Sequence, residues 1–221
     1  MSVSGRSPFV ILATGGVLAA VVIFLLTVMS RRKPADGLET RAAAPPVYKQ
    51  VPSFSLTNHL GAAVDLDHWK GRVWVAQIIF TRCPGPCARM TQFFTQLQSR
   101  LPKDGSVRLV SLTSDPEYDT PEILSRYAEK AFAHASIWEF LTGTKRELSQ
   151  LAIAGLGLTA LDKEESERSS PEDLFIHSTI SVVVDREGHV RGTVETLEPG
   201  AESSLMRLIE GLRQESGSRL E

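Results

Sequence analysis

Eight residues, Val73 to Phe80, form an almost unbroken apolar run, VWVAQIIF, rich in branched side chains. A run of that length and composition reads as a strand buried on both faces, which requires a sheet covered on both sides. It leads directly into Thr81-Arg82-Cys83-Pro84-Gly85-Pro86-Cys87. Beyond that turn Met90, Phe93, Phe94, Leu97 and Leu101 recur at helical spacing, and Pro86 suits a first helical turn, where its missing N–H is not needed. The chain is therefore committed to a buried strand, a tight cysteine-bearing turn and a helix.

The rest of the sequence extends that pattern. Val51–Leu56 and Ala63–Leu66 flank a turn at Asn58–Gly61 and read as a hairpin. Val107–Leu112 is a second strand, and Thr120-Pro121-Glu122 opens a helix through about Phe132. Ile137–Leu141 is a short third strand, and Thr144 caps a helix containing Leu148, Leu151 and Ala152. The acidic, serine-rich stretch Asp162–Asp173 reads as a solvated loop. Thr179–Val184 and Val190–Val194 flank Asp185-Arg186-Glu187-Gly188 as a hairpin, and Glu202–Leu212 closes the chain as a helix. Strands alternating with helices predict an α/β domain, a central mostly parallel sheet with helices on both faces. With its N-terminal hairpin and an inserted strand–helix pair, this is a thioredoxin-like layout.

A second apolar run bounds what lies outside that domain. Phe9–Met29 contains no charged residue in 21 positions. At about 1.5 Å per residue it reaches roughly 31 Å, the thickness of a bilayer's hydrocarbon core, and so predicts one transmembrane helix. A cleaved leader has a shorter apolar region, about 7–15 residues, ending near a small-residue site; here Ala42-Ala43-Ala44 lies well beyond the run. Residues 1–8 are then an N-terminal tail, 9–29 the anchor, 30–50 a flexible proline- and charge-bearing linker, 51–215 the folded domain and 216–221 a C-terminal tail. After Lys33 the chain carries 20 Lys+Arg against 26 Asp+Glu, a net charge of −6. That balance speaks against a nucleic-acid partner, which needs a basic face.

Cys83 and Cys87 are the only cysteines. At the junction of a buried strand and a helix N-terminus, unsatisfied N–H groups and the helix dipole favour a thiolate. Three readings stand. A structural disulfide closing so short a loop removes little chain entropy and is a poor staple. A dithiol–disulfide exchange catalyst usually has C-x-x-C spacing, one residue shorter than here. Two thiolates also suit a soft metal, Cu(I) or zinc, and an added imidazole makes the set acceptable to Cu(II). Of the five histidines, His59, His68, His134 and His189 sit in or beside hairpins and helix ends, as packed or solvated imidazoles. His177 directly precedes the strand Thr179–Val184. In a thioredoxin-like sheet the segment entering that strand packs against the cysteine turn. Thioredoxins carry a cis-proline there, and this chain has His177-Ser178-Thr179.

These motifs resemble the Sco/SenC family of copper-delivery proteins for cytochrome c oxidase assembly. The resemblance runs from about Val51 to Leu212. It rests on Thr81–Cys87, Ser114-Asp115-Pro116 with Asp119-Thr120-Pro121-Glu122, Leu141-Thr142-Gly143-Thr144, His177-Ser178-Thr179 and Asp185-Arg186-Glu187-Gly188, in that order. It implies that Cys83, Cys87 and His177 are ligands for copper, as Cu(I) or Cu(II), and that Cys83 and Cys87 form a redox-active disulfide. Asp115 matches a family aspartate near the site, either behind the ligands or on a docking face; a turn or helix cap accounts for it equally well. The chain departs from the family pattern at Ala88, where proline is usual, and at Pro86, which restricts Gly85 to extended conformations.

The resemblance further implies two roles. One is a metallochaperone that hands copper to the oxidase subunit carrying the dinuclear copper site. The other is a thiol–disulfide reductase that keeps that site's cysteines reduced. Either needs a copper donor and a thiol reductant as further partners. A peroxidase would want a lone peroxidatic cysteine with an activating arginine, for which Arg82 is a poor candidate. The family works outside the cytoplasm, which implies a single-pass protein of a bacterial inner membrane with its domain in the periplasm. This overrides the flanking charges, where Arg31, Arg32 and Lys33 outnumber Arg6 and the α-amine. A C-terminal alkaline phosphatase fusion should therefore be active in cells. A silent fusion, with a cytoplasmic reporter active in its place, would reverse the orientation.

Overall fold

Every residue of Val73–Ile79 (β4) is buried, so this strand can only lie in the middle of the structure. The computed structural model describes residues 44–168, 170 and 174–215, and at positions 160, 176 and 177 the backbone alone. The expected anchor at 9–29, the tails at 1–8 and 216–221 and most of the expected linker lie outside the described residues. Among those described, no helix is long and apolar enough to cross a membrane.

On one side β4 pairs in parallel with β5 (Val107–Thr113), Val73 opposite Val107 through Ile79 opposite Thr113. Beyond it β6 (Trp138–Thr142) continues the parallel ladder, Leu109 opposite Trp138. On the other side β9 (Ile180–Val184) runs antiparallel to β4, and β10 (His189–Glu195) antiparallel to β9. The short strand β1 (Lys49–Gln50), from the segment expected as linker, closes that edge against β10. The hairpin of β2 (Ser55–Asn58) and β3 (Ala63–Asp65) closes the opposite edge through Thr57 and Thr142. The order is β1-β10-β9-β4-β5-β6-β2-β3.

This corrects the expectation of a mostly parallel sheet. Only β4, β5 and β6 are mutually parallel, each joined to the next through a helix; the hairpins β2–β3 and β9–β10 are antiparallel through their tight turns, and β9, β2 and β1 also lie antiparallel on β4, β6 and β10. The sheet is mixed. Side-chain alternation along β4 sends Val73, Val75 and Ile79 to one face and Trp74, Ala76 and Ile78 to the other. The first face is covered by α1 (Cys87–Arg100), α2 (Pro121–Lys130) and α4 (Ala201–Glu215), through Phe94, Leu97, Leu124, Leu205 and Ile209. Each such side chain, fully buried, contributes about 1.5–3 kcal/mol. The second face is covered by α3 (Lys145–Ser149) and its continuation as a π-helix over Gln150–Leu156, through Leu148, Leu151 and Leu156. Thr144 caps α3 in a reciprocal box with Glu147, as its sequence position predicts.

A further difference lies on either side of the stretch expected as solvated loop. A small separate sheet flanks it, β7 (Ala160–Asp162) antiparallel to β8 (Phe175–His177), with Ala160 opposite His177. These three-residue strands are too short for period-2 alternation to declare itself.

Arg191 holds the lower edge together. Its guanidinium is nearly inaccessible and donates to Asp185 at 2.9 Å and to both carboxylate oxygens of Glu215 at 2.8 Å. It also donates to the carbonyls of Pro45 and Pro46 at 3.1 and 3.2 Å. One cation thus ties the entering chain, the turn after β9 and the end of α4. Removing it strands a buried carboxylate at Asp185, so Arg191→Met should lower unfolding free energy by about 3 kcal/mol. Urea unfolding followed by tryptophan fluorescence checks this; a loss below about 1 kcal/mol would place the network in effective contact with solvent.

Candidate metal centre

β4 delivers the buried Phe80 to the rim of the sheet, and the chain turns there, with the Cys83 N–H donating to the Phe80 carbonyl at 3.2 Å. Pro86, at φ −71° and ψ −22°, already has helical backbone, and α1 starts at Cys87. No side chain caps this helix end, so its first N–H groups face the turn. Cys87 is 1% exposed and Cys83 half-buried, and both are in the thiol form. The Gly85 N–H donates to Cys83 Sγ at 3.4 Å, and the two cysteine side chains are hydrogen-bonded to each other. The structure thus brings together the two sulfurs that their spacing singles out.

The protonation of Cys87 differs from expectation. The helix N-terminus led to an expected thiolate, yet the Cys87 thiol is pushed strongly upward, first by its hydrogen bond with Cys83, then by burial and by the charge of Cys83. The hydrogen bond to Cys83 and burial together outweigh the dipole, because a thiolate here would face another sulfur away from water. Tyr127, packed on the same cluster, is pushed up to about 12, chiefly by burial; its hydroxyl lies 2.9 Å from Thr91 Oγ1.

Two carboxylates from the segment between β5 and α2 grip the residues just before Cys83. Asp115 is buried and accepts from Arg82 Nη2 at 2.6 Å and Nε at 3.2 Å. The same guanidinium stacks on Tyr118, 4.1 Å from the ring centroid. Asp115 is therefore the partner of the arginine beside the first cysteine. Asp119 is fully buried and accepts from the Thr81 N–H at 3.1 Å, from the Thr81 hydroxyl, and from the Thr113 hydroxyl at 2.5 Å. Burial pushes its carboxyl above the usual range, against the pull of those hydrogen bonds. Reading the sequence assigned Asp119 no role and gave Arg82 no part in the site. A carboxylate four residues after another, in a polar run between a buried strand and a proline-started helix, is the signal that pointed there.

His177 ends β8. Its backbone stands opposite Ala160, while its imidazole lies outside the described residues. The strand is moored close to the cysteine turn, because the Phe175 ring meets Phe80 edge-on at 5.1 Å. Phe175 is two residues before His177 and Phe80 three before Cys83, so one aromatic contact joins the two segments. Ser178 ties the end of the strand to Thr159, its N–H donating to the Thr159 carbonyl at 3.1 Å and its hydroxyl oxygen accepting from the Thr159 N–H at 2.6 Å.

The other histidines lie elsewhere. His59 is buried, and its Nδ1 accepts the Phe140 N–H at 3.3 Å; desolvation lowers its pKa. His68 faces Glu139 at 3.4 Å. Among the described residues, Asp185, Glu187 and His189 cluster closely enough to share an ion. The Asp185 oxygens are already engaged there, Oδ1 by the N–H groups of Glu187 and His189 and Oδ2 by Arg191, so that cluster is a turn lock.

The chain is similar to several known proteins. The SCO1/SenC family model matches residues 43–212. The SCO1 protein homolog of Bacillus subtilis is 33% identical over 147 residues, which cover 66% of this chain and 73% of that protein. Among solved structures, a SCO1/SenC family lipoprotein of Bacillus anthracis superposes with a TM-score of 0.68 at 26% identity, covering 77% of this chain and 98% of that one. BsSco, described as a Sco-family cytochrome c oxidase assembly protein with a disulfide switch, gives 0.64 at 29% identity, covering 76% and 95%. ScoI of Bradyrhizobium japonicum, solved with copper bound, gives 0.60 at 21% identity, covering 72% and 99%, and so shares the fold.

The Arg82–Asp115 pair is asymmetric, since the Arg82 side chain is 36% exposed and that of Asp115 8%. Deleting the arginine strands a buried carboxylate, whereas neutralising the aspartate leaves a cation that solvent can reach. Arg82→Ala should therefore cost about 2 kcal/mol of stability and Asp115→Asn less than about 1 kcal/mol. Equal losses in urea unfolding would mean that both groups are solvated.

Proposed function

The chain belongs to the SCO1/SenC family, and we propose that it carries copper on Cys83, Cys87 and His177 and delivers it to the dinuclear copper site of cytochrome c oxidase. The observation that carries this reading is the pair of reduced, mutually hydrogen-bonded sulfurs at the end of a buried strand, with the strand ending in His177 moored beside them by Phe175 on Phe80. Copper is the cargo, and the donor set fits it. Two soft sulfurs satisfy Cu(I) in low coordination, and an imidazole extends the set to Cu(II). Loading displaces the thiol protons, because only thiolates ligate. The rigid turn lets the sulfurs present the ion without rearranging the core, and a partner's own thiolates can then take it by ligand exchange.

The membrane anchor at Phe9–Met29 and a periplasmic domain belong to the same proposal. They suit a cysteine pair that cycles between dithiol and disulfide, which persists only in an oxidising compartment. The sulfur–sulfur contact also favours a second reading, a thiol–disulfide reductase acting on the oxidase's copper-site cysteines. A pure reductase has no need of His177, so that residue separates the two.

Titration of the purified protein with Cu(I) and with Cu(II), watching for a thiolate charge-transfer band, tests the assignment. His177→Ala should abolish most Cu(II) binding, weaken Cu(I) only modestly and leave disulfide formation and folding intact. In cells the variant should lose oxidase activity. If it binds Cu(II) with unaltered spectrum and affinity, His177 is not a ligand; if oxidase assembly also survives, the reductase reading takes over.

A further inference from the structure

The hydrogen bonds at Asp119 are unusual for a residue just before a helix. Thr120, the next residue, already caps α2 by accepting from the Ile123 N–H at 3.4 Å. The Asp119 carboxylate turns away from that helix and spends its acceptor capacity on residues 81 and 113. All three donors are neutral, one backbone N–H and two hydroxyls. Two of them belong to Thr81, the first residue beyond the Phe80 side chain that anchors the rim, and two before Cys83. Thr113 is the last residue of β5, paired in register with Ile79. Asp119 therefore locks the cysteine turn to the end of the neighbouring strand, across 38 residues of sequence.

The lock acts where freedom would matter most. Cys87 is fixed by its place in the first turn of α1 and by complete burial. Cys83 sits outside any helix or strand, in the turn between β4 and α1, half-buried. Its position relative to Cys87 depends on how the turn leaves β4, which is what the two bonds to Thr81 determine. Asp115 holds Arg82 through a partly exposed ion pair, the weaker of the two grips.

We propose that Asp119 is a positioning residue for the cysteine pair: by holding Thr81 it presets the Cys83 sulfur against Cys87 and so stabilises the disulfide relative to the dithiol. This rests on the reading of Cys83 and Cys87 as a working redox pair, and it concerns the protein without copper. In the equilibrium with glutathione, two glutathione thiols give up two electrons and two protons. The Cys83–Cys87 bond breaks to two thiols, and glutathione disulfide forms. A loosened turn lowers the effective concentration of one sulfur at the other, which favours the dithiol.

The test is the disulfide–dithiol equilibrium of the full-length protein in glutathione buffers, read by thiol trapping and mass shift, for wild type, Asp119→Asn, Thr81→Val and Thr81→Ser. Asp119→Asn and Thr81→Val should each shift the equilibrium constant about tenfold toward the dithiol, a rise of about 30 mV in reduction potential. Thr81→Ser keeps the donating hydroxyl and should stay within twofold of wild type. Thr81→Val removes a single hydroxyl at constant volume, so it reads the lock even if Asp119→Asn fails to fold. If the valine variant melts at a lower temperature but keeps the wild-type equilibrium, Asp119 is only a structural peg and the proposal fails. A serine variant shifted as far as the valine variant would overturn it equally. A wild type that forms this disulfide yet binds no copper would sink the copper-carrying reading while leaving the positioning role intact.

Discussion

The organising constraint is the burial of β4 on both faces. With all of Val73–Ile79 out of solvent, every backbone N–H and C=O of the strand must be paired within the sheet. The parallel ladder to β5 runs the whole length of the strand, and the antiparallel one to β9 joins Trp74–Ala76 on the other side. Because the flanking strands are pinned by the same ladders, the end of β4 is a fixed point, and the chain that leaves it starts from a rigid rim. The cysteine turn inherits its precision from that rim.

Polar contacts then fix what the apolar core cannot. Hydrophobic packing is non-directional and tolerates small rotations of a loop. The Asp119 carboxylate and the Arg82–Asp115 pair specify angles as well as distances, and both come from the segment after β5. Their cost is the burial of two carboxylates, and burial raises the pKa of Asp119. A chain selected for stability alone would gain by making that position neutral. Elsewhere buried charge ties edges together: Glu139 accepts from Trp69 Nε1 at 2.7 Å and from Asn58 at 3.0 Å, joining the N-terminal hairpin to β6.

Much of the fold was legible in the residues alone. The helices at 87–100, 121–130 and 201–215 and the strands at 73–79, 107–113, 138–142 and 180–184 lie where periodicity and capping residues place them. Hydrophobic period is a local property, and these segments are long enough to express it. The β7–β8 hairpin was missed because three-residue strands are not. The hairpins were read from their turns, but the sheet was misjudged as mostly parallel because strand–helix alternation does not encode the direction in which a hairpin joins the central strands, β9 on β4 and β2 on β6.

At the site the same division holds. Sequence alone supplied the candidates: two sulfurs four residues apart at a strand-to-helix turn, and His177 as the histidine proposed to join them. Tertiary structure decided the state and setting of that chemistry. It hydrogen-bonded the two thiols in a buried place, moored the histidine's strand through Phe175 to Phe80, and gave Asp115 and Asp119 their partners. Those partners stand 33 and 38 residues away along the chain. The physical reason is range: composition and spacing encode what a segment buries and which atoms it offers. Which distant group a buried carboxylate meets is set only when two strands pair in register.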